Sequence, residues 1–256
     1  MVIALLTDFG TQDYFVGAMK GAILSINAEV KIVDITHEIP PQNLTAASFT
    51  LRACYENFPR KTIFVAVVDP GVGSNRKAIL VETDAYYFVA PDNGLLSFVF
   101  DKEREFGVFE LTEEKFFAEK VSRTFHGRDV FAPIAAHLSN GVQPEEFGAK
   151  IKDFIRLKTI APHKISEGLI EAEITHADHF GNLVTNLKHS DLPEKFTLEI
   201  GGKVISKLQT FFAEAKKSEL FMISGSAGFL EIAAFQDSAQ SILRVAVGEK
   251  VRLRTN

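Results

Sequence analysis

Residues 64–68 are five apolar, mostly β-branched positions that run without a break into Asp69, Pro70 and a Gly71-Val72-Gly73 turn. A strand this apolar needs packed layers on both faces, which restricts the chain to folds with a buried sheet. A carboxylate at the carboxyl end of such a strand, followed by glycines that allow close backbone approach, occupies the place where open α/β sheets bind ligands. Arg76 follows closely enough to fold back over the same mouth. The segment alone supports two readings. Asp69 either faces a ligand or caps the amides of its own turn.

The flanking sequence repeats this design. An apolar strand over 1–6 ends in Thr7-Asp8-Phe9-Gly10, and helical spacing of Phe15, Ala18, Met19, Ala22, Ile23 and Ile26 predicts a helix over 14–27. A second strand, 30–35, ends in Thr36-His37-Glu38 before two prolines, and Asn43 is placed to cap a helix reaching about Phe58. Strands at 78–81 and 86–89 flank a Thr83-Asp84 turn; the second ends in Asp92-Asn93-Gly94, where a short helix starts. Asp8, His37, Asp69 and Asp92 therefore each follow an apolar run. In a mostly parallel sheet these ends share one edge, so the four side chains are expected to line one crevice.

Residues 101–122 are charged and Phe-rich, and Phe116-Phe117 are expected to pack under a loop or against a neighbouring subunit. His126 precedes an apolar helix that stops at Asn140-Gly141. There the helix dipole favours an anion and lowers an imidazole pKa, while the bland alternative is a surface histidine donating to a carbonyl. Beyond Arg156–His163, which has the character of a linker, long helical periods disappear. Short strands at 169–175, 183–187, 197–200, 220–223, 229–234 and 242–247, separated by glycine-rich turns, suggest a small antiparallel barrel or sandwich. Residues 206–217 form a less regular excursion. Asp178, Phe180 and Asn182 offer an acceptor, an aromatic face and an amide, a set suited to a purine edge or simply to a hairpin turn.

Composition excludes several classes. The 256 residues carry a net charge of −5 with both signs interspersed, which leaves no electrostatic footprint for nucleic acid. The lone cysteine, Cys54, permits no internal disulfide and is expected to be a buried structural thiol rather than a nucleophile. The early acidic Asp8 does not fit a signal peptide, and no apolar run is long enough to span a bilayer, so a cytoplasmic location without membrane contact is expected. The Gly-x-Gly turn lacks the third glycine of a dinucleotide fingerprint, and no Walker lysine, zinc spacing or Gly-x-Ser-x-Gly elbow is present. Asp8, Asp69, His37 and His126 are chemically able to hold a hard metal, but their scatter is not diagnostic. The residues alone lead to a two-domain α/β enzyme with a polar crevice.

Seven motifs then fall in register: LLTDFG, VDITHEIP, VAVVDPGVG, APDNGLL, TFHGRDVFAP, HFGNLVTN and GFLEIA, spanning Leu5 to about Ala233. In order and spacing they resemble the S-adenosylmethionine (SAM) hydrolases that form adenosine, also called SAM hydroxide adenosyltransferases, relatives of the fluorinase and chlorinase. The resemblance implies an α/β fold: a Rossmann-like N-terminal domain with a mostly parallel sheet (1–158) and a small C-terminal antiparallel β-barrel domain (159–256). It also implies a homotrimer, with substrate between the first domain of one subunit and the second of its neighbour, and neither metal nor cofactor. The family's water-handling triad falls on Asp69, Arg76 and His126 and its ribose-binding carboxylate on Asp8. Its adenine and methionine contacts fall on Asp178, Phe180, Asn182 and Ser226. The family often has Asn-Ser where this chain has Gly225-Ser226. The first domain lacks the extra loop typical of the halide-using relatives, which favours water as nucleophile. The implied reaction converts SAM to adenosine and L-methionine. Two other classes compete with it: a metal-dependent nucleoside or nucleotide hydrolase, and a non-catalytic SAM or adenosine sensor.

Overall fold

The computed structural model describes residues 1–158 and 161–255. It divides into two compact units, Met1–Thr159 and Ile160–Asn256. The expected linker, Arg156–His163, includes residues 159 and 160, which lie outside the described residues, as does the expected boundary between 158 and 159.

In the first unit, β1 (Val2–Thr7), α1 (Phe15–Ile26), β2 (Lys31–Thr36), α2 (Leu44–Cys54) and β3 (Ile63–Val67) alternate. β4 (Ala78–Thr83), β5 (Tyr87–Pro91), α3 (Ser97–Lys102), β6 (Phe106–Glu110) and α4 (Ala132–Ser139) follow. The sheet order is β2-β1-β3-β5-β4-β6. The first four strands are parallel, and β4 pairs antiparallel with both neighbours. β3 shows why its sequence is so apolar. Ile63, Val65 and Val67 pack with Met19 and Ile23 of α1 and Ile134 and Leu138 of α4. Phe64, Ala66 and Val68 pack on the other face with Ala47 and Leu51 of α2 and Phe98 and Val99 of α3. Helices cover both faces, so alternate residues of one strand feed two cores. Asn43 caps α2 as its type predicts, accepting from Ala46 N–H at 2.9 Å.

The strand β6 lies inside the charged, Phe-rich stretch 101–122, for which the sequence analysis gives no strand. Phe116 packs within this unit, its ring 5.2 Å from that of His137 and 4.9 Å from that of Phe147.

The second unit contains β7 (His163–Ser166), β8 (Leu169–Ala177), β9 (Leu183–Lys188), β10 (Phe196–Ile200), β11 (Lys203–Ile205) and β12 (Leu208–Gln209). It continues through β13 (Leu220–Ser224), β14 (Phe229–Ala234), α5 (Ala239–Leu243) and β15 (Lys250–Thr255). These nine strands form one hydrogen-bonded sheet, antiparallel except where β12 meets β13. Its core gathers Ile174, Leu183, Met222, Leu230, Ile232, Val251 and Leu253.

The expected strand at 242–247 is not one. Ser238 accepts from Ser241 N–H and starts α5 there, which ends at Arg244 in a left-handed conformation. The final strand is β15, where Val251 and Leu253 are buried and Lys250, Arg252 and Arg254 point outward. Among the described residues no helix is long and apolar enough to cross a membrane.

Candidate active site

Asp8, His37, Asp69 and Asp92 do stand at the carboxyl ends of β1, β2, β3 and β5, on one edge of the parallel sheet. Their side chains do not line one crevice. Asp92 is turned into the protein, where its carboxylate accepts Ile155 N–H at 2.8 Å, and burial pushes its pKa above the ordinary carboxylate range. His37 is buried between Thr7 and Asp34. Asp8 stays partly exposed and accepts Gln42 N–H at 2.8 Å. Asn93, beside Asp92, donates to Val68 O at 2.8 Å and so fixes the backbone just before Asp69.

Asp69 belongs to a different set. Arg76 Nε donates to Oδ1 and Oδ2 at 3.0 Å each, and Nη2 reaches Oδ2 at 2.5 Å. The same Nη2 lies 2.8 Å from His126 Nδ1. The Asp69 and Arg76 side chains are 6% and 10% exposed, so water screens this chain of contacts poorly. A guanidinium offers only N–H groups, so His126 Nδ1 accepts and its proton sits on Nε2. The His126 pKa lies below the ordinary imidazole value. Burial is the leading cause and the neighbouring Arg76 charge comes next.

Local geometry brings the three together. The turn after β3 carries Gly73 at φ +78°, where a Cβ would sit 2.3 Å from Arg123 O. His126 opens a wide, π-type turn (Gly127–Phe131) in which Ala132 N–H bonds Gly127 O, and this turn leads into α4. Asp129, 1% exposed, accepts from Arg128 Nε at 2.6 Å and from Ser122 N–H at 2.8 Å. Arg128 and Asp129 therefore clasp the loop before His126. Cys54, expected to be buried, is half-buried, and that burial raises its thiol pKa.

In the second unit Asp178, Phe180 and Asn182 share one turn. Asp178 Oδ1 accepts Phe180 N–H at 2.9 Å and Asn182 N–H at 2.8 Å, and Oδ2 accepts the Asn182 amide at 2.8 Å. The carboxylate builds the turn, while the Phe180 ring is left 74% exposed. Ser226 is exposed in the separate turn between β13 and β14.

Glu231, on β14, lies near both turns and is not among the residues singled out in the sequence analysis. A Cβ on Gly225 would fall 1.9 Å from its Oε1. Its pKa is raised, first by burial and then by the Asp178 charge. The available signal was a carboxylate between Leu230 and Ile232, both fully buried. Among the described residues no group of three or more His, Cys, Asp or Glu is arranged to hold a metal ion.

Residues 3–148 match the SAM hydroxide adenosyltransferase N-terminal domain, and residues 172–252 match the C-terminal domain of the same name. The chain belongs to the SAM hydroxide adenosyltransferase family. The chain is 36% identical to the (R)-S-adenosyl-L-methionine hydrolase of Methanocaldococcus jannaschii, over 98% of this chain and 95% of that protein. It is 35% identical to the Thermus thermophilus protein of the same name, over 98% of each. A crystal structure of an uncharacterized conserved protein from Thermotoga maritima superposes with a TM-score of 0.91 at 36% identity, covering 98% of this chain and 99% of that one.

Proposed function

We propose that this member of the SAM hydroxide adenosyltransferase family hydrolyses SAM to adenosine and L-methionine by attack of water at C5′. The observation that carries the proposal is Arg76, held by Asp69 on one side and bonded to His126 on the other. The sulfonium already on C5′ leaves as a neutral thioether, so departure needs no general acid. The nucleophile is the difficulty, because bulk water has a pKa of about 15.7. Arg76 and the Nε2–H of His126 supply positive charge and a donor that favour hydroxide character in a bound water, and Asp69 fixes the guanidinium. As the new C–O bond forms and the C–S bond breaks, one proton passes to solvent. Asp8 holds the ribose hydroxyls so that water, C5′ and sulfur lie in line.

Phe180 provides a stacking face for adenine, and Asn182 reads its edge. Ser226 and the half-buried Glu231 suit the polar end of methionine, Glu231 by pairing with its ammonium. No metal or cofactor has a part in this scheme. We extend the proposal to the architecture: a Rossmann-like first domain, a β-barrel second domain, and a homotrimer that completes the site from two copies. The exposed Val204, Leu208 and Phe211 of the second unit support burial against another chain.

The test is product analysis in ¹⁸O-labelled water. Label in the 5′ hydroxyl of adenosine is expected, and unlabelled adenosine overturns the mechanism. Supplying both sulfonium epimers checks whether the (R) form named for the relatives is consumed. Activity abolished by EDTA and restored by a divalent ion would replace this reading with a metal-dependent hydrolase. Formation of 5′-chloro-5′-deoxyadenosine in chloride would replace water with halide as nucleophile.

A further inference from the structure

Asp8 stands outside the bonded set around Arg76, and a carboxylate at a partly exposed strand end is useful only if its loop is fixed. Gln42 N–H bonds the carboxylate directly at 2.8 Å, and the backbone that carries it is fixed from behind. Gly10 N–H donates to His37 O at 2.8 Å, and Phe9 N–H donates to Thr7 Oγ1 at 3.3 Å. Thr7 Oγ1 lies 2.8 Å from His37 Nδ1. His37 Nε2 lies 3.2 Å from Asp34 Oδ1, and the other Asp34 oxygen accepts from Lys20 Nζ at 2.6 Å. Thr7 is 0% and His37 4% exposed.

Proton placement follows from what each group can offer. A carboxylate only accepts, so the His37 proton belongs on Nε2, facing Asp34, although the alignment there is poor enough that Nε2 has no well-formed hydrogen bond. Nδ1 then accepts the Thr7 hydroxyl proton, which turns the remaining lone pairs of Oγ1 toward Phe9 N–H. We infer that Thr7, His37 and Asp34 are positioning residues that set the direction of the Asp8 carboxylate toward the ribose hydroxyls of the substrate. This rests on the ribose-binding reading of Asp8 given above. It assigns work to His37, just after β2, whose ring lies between Thr7 and Asp34 rather than against Arg76.

A buttress that only stabilises the fold would weaken all ligands alike. A network that aims Asp8 acts through the ribose hydroxyls. The test therefore compares the affinities of adenosine and 2′,3′-dideoxyadenosine by calorimetry. Wild type is expected to prefer adenosine by about tenfold or more, the range of a charge-assisted hydrogen bond. Asp8→Ala should abolish that preference; if wild type shows none, or Asp8→Ala keeps it, the Asp8 reading itself fails.

Given a wild-type preference that depends on Asp8, the isosteric Thr7→Val and, independently, His37→Leu should lose most of it while dideoxyadenosine binds as before. Thr7→Ser should restore it. Retention of the full preference in Thr7→Val or His37→Leu, or an equal loss for both ligands, overturns the inference. Should those two variants not fold, Asp34→Asn at its partly exposed position decides: a smaller but measurable fall in preference supports the network, and an unchanged preference overturns it.

Discussion

Arg76 can serve Asp69 and His126 together because a guanidinium holds five N–H donors in one rigid plane. A lysine has a single nitrogen and cannot keep the two-oxygen grip on Asp69 while bonding His126 Nδ1. Arg76→Lys is therefore expected to lower kcat by about a hundredfold, the scale for losing one preorganised donor, with a smaller change in KM. Steady-state kinetics on SAM checks this. The lowered pKa of His126 gives a second expectation. The neutral ring, with its proton on Nε2, is the working form in this scheme. The acid limb of kcat/KM should then fall below the ordinary imidazole value of about 6.5, with activity rising as pH increases through it. Stability carries the same sign: between the lowered folded value and the unfolded value the unfolded chain binds more protons, so this residue's contribution grows with pH. A limb at or above the ordinary value would contradict the assignment.

At the scale of elements, the turn after β3 does the aiming. Gly73 combines φ +78° with a carbonyl oxygen where a side chain would begin. Gly73→Ala should cost at least about 1 kcal/mol in urea unfolding and should reduce kcat more than a remote substitution of equal cost, because the turn carries Arg76 back to Asp69.

This part of the molecule was legible in the sequence: an unbroken apolar strand, a carboxylate at its end, glycines, then an arginine. The capped helix at Asn43 and the histidine opening the helix near residue 126 were legible for the same reason, since local residue types determine them. Other features depended on distant partners. Nothing near Asp92 announces that Ile155 N–H will claim its carboxylate. β15 was hidden by its lysine and arginines, whose charges resemble a solvated tail until Glu173 and Glu199 appear opposite them, 3.0 Å and 2.8 Å away. The apolar 242–247 run looked extended, but the Ser238 cap and the bond from Gln240 N–H to Gly181 O bind its start into α5.

At the scale of the whole molecule, the proposed homotrimer makes a direct prediction. Light scattering after gel filtration should give three times the chain mass of 28.3 kDa, and specific activity should fall on dilution once the trimer dissociates. A monomer of full activity would remove the need for a neighbouring copy. The proposed division of labour between the two units has a wider consequence. The Asp69–Arg76–His126 linkage closes entirely within the first unit, and the Asp178–Asn182 turn with Glu231 lies entirely within the second. Under the proposed roles, exchanging the second half between homologues would change the substrate that is taken while leaving the chemistry built around Arg76 as it is.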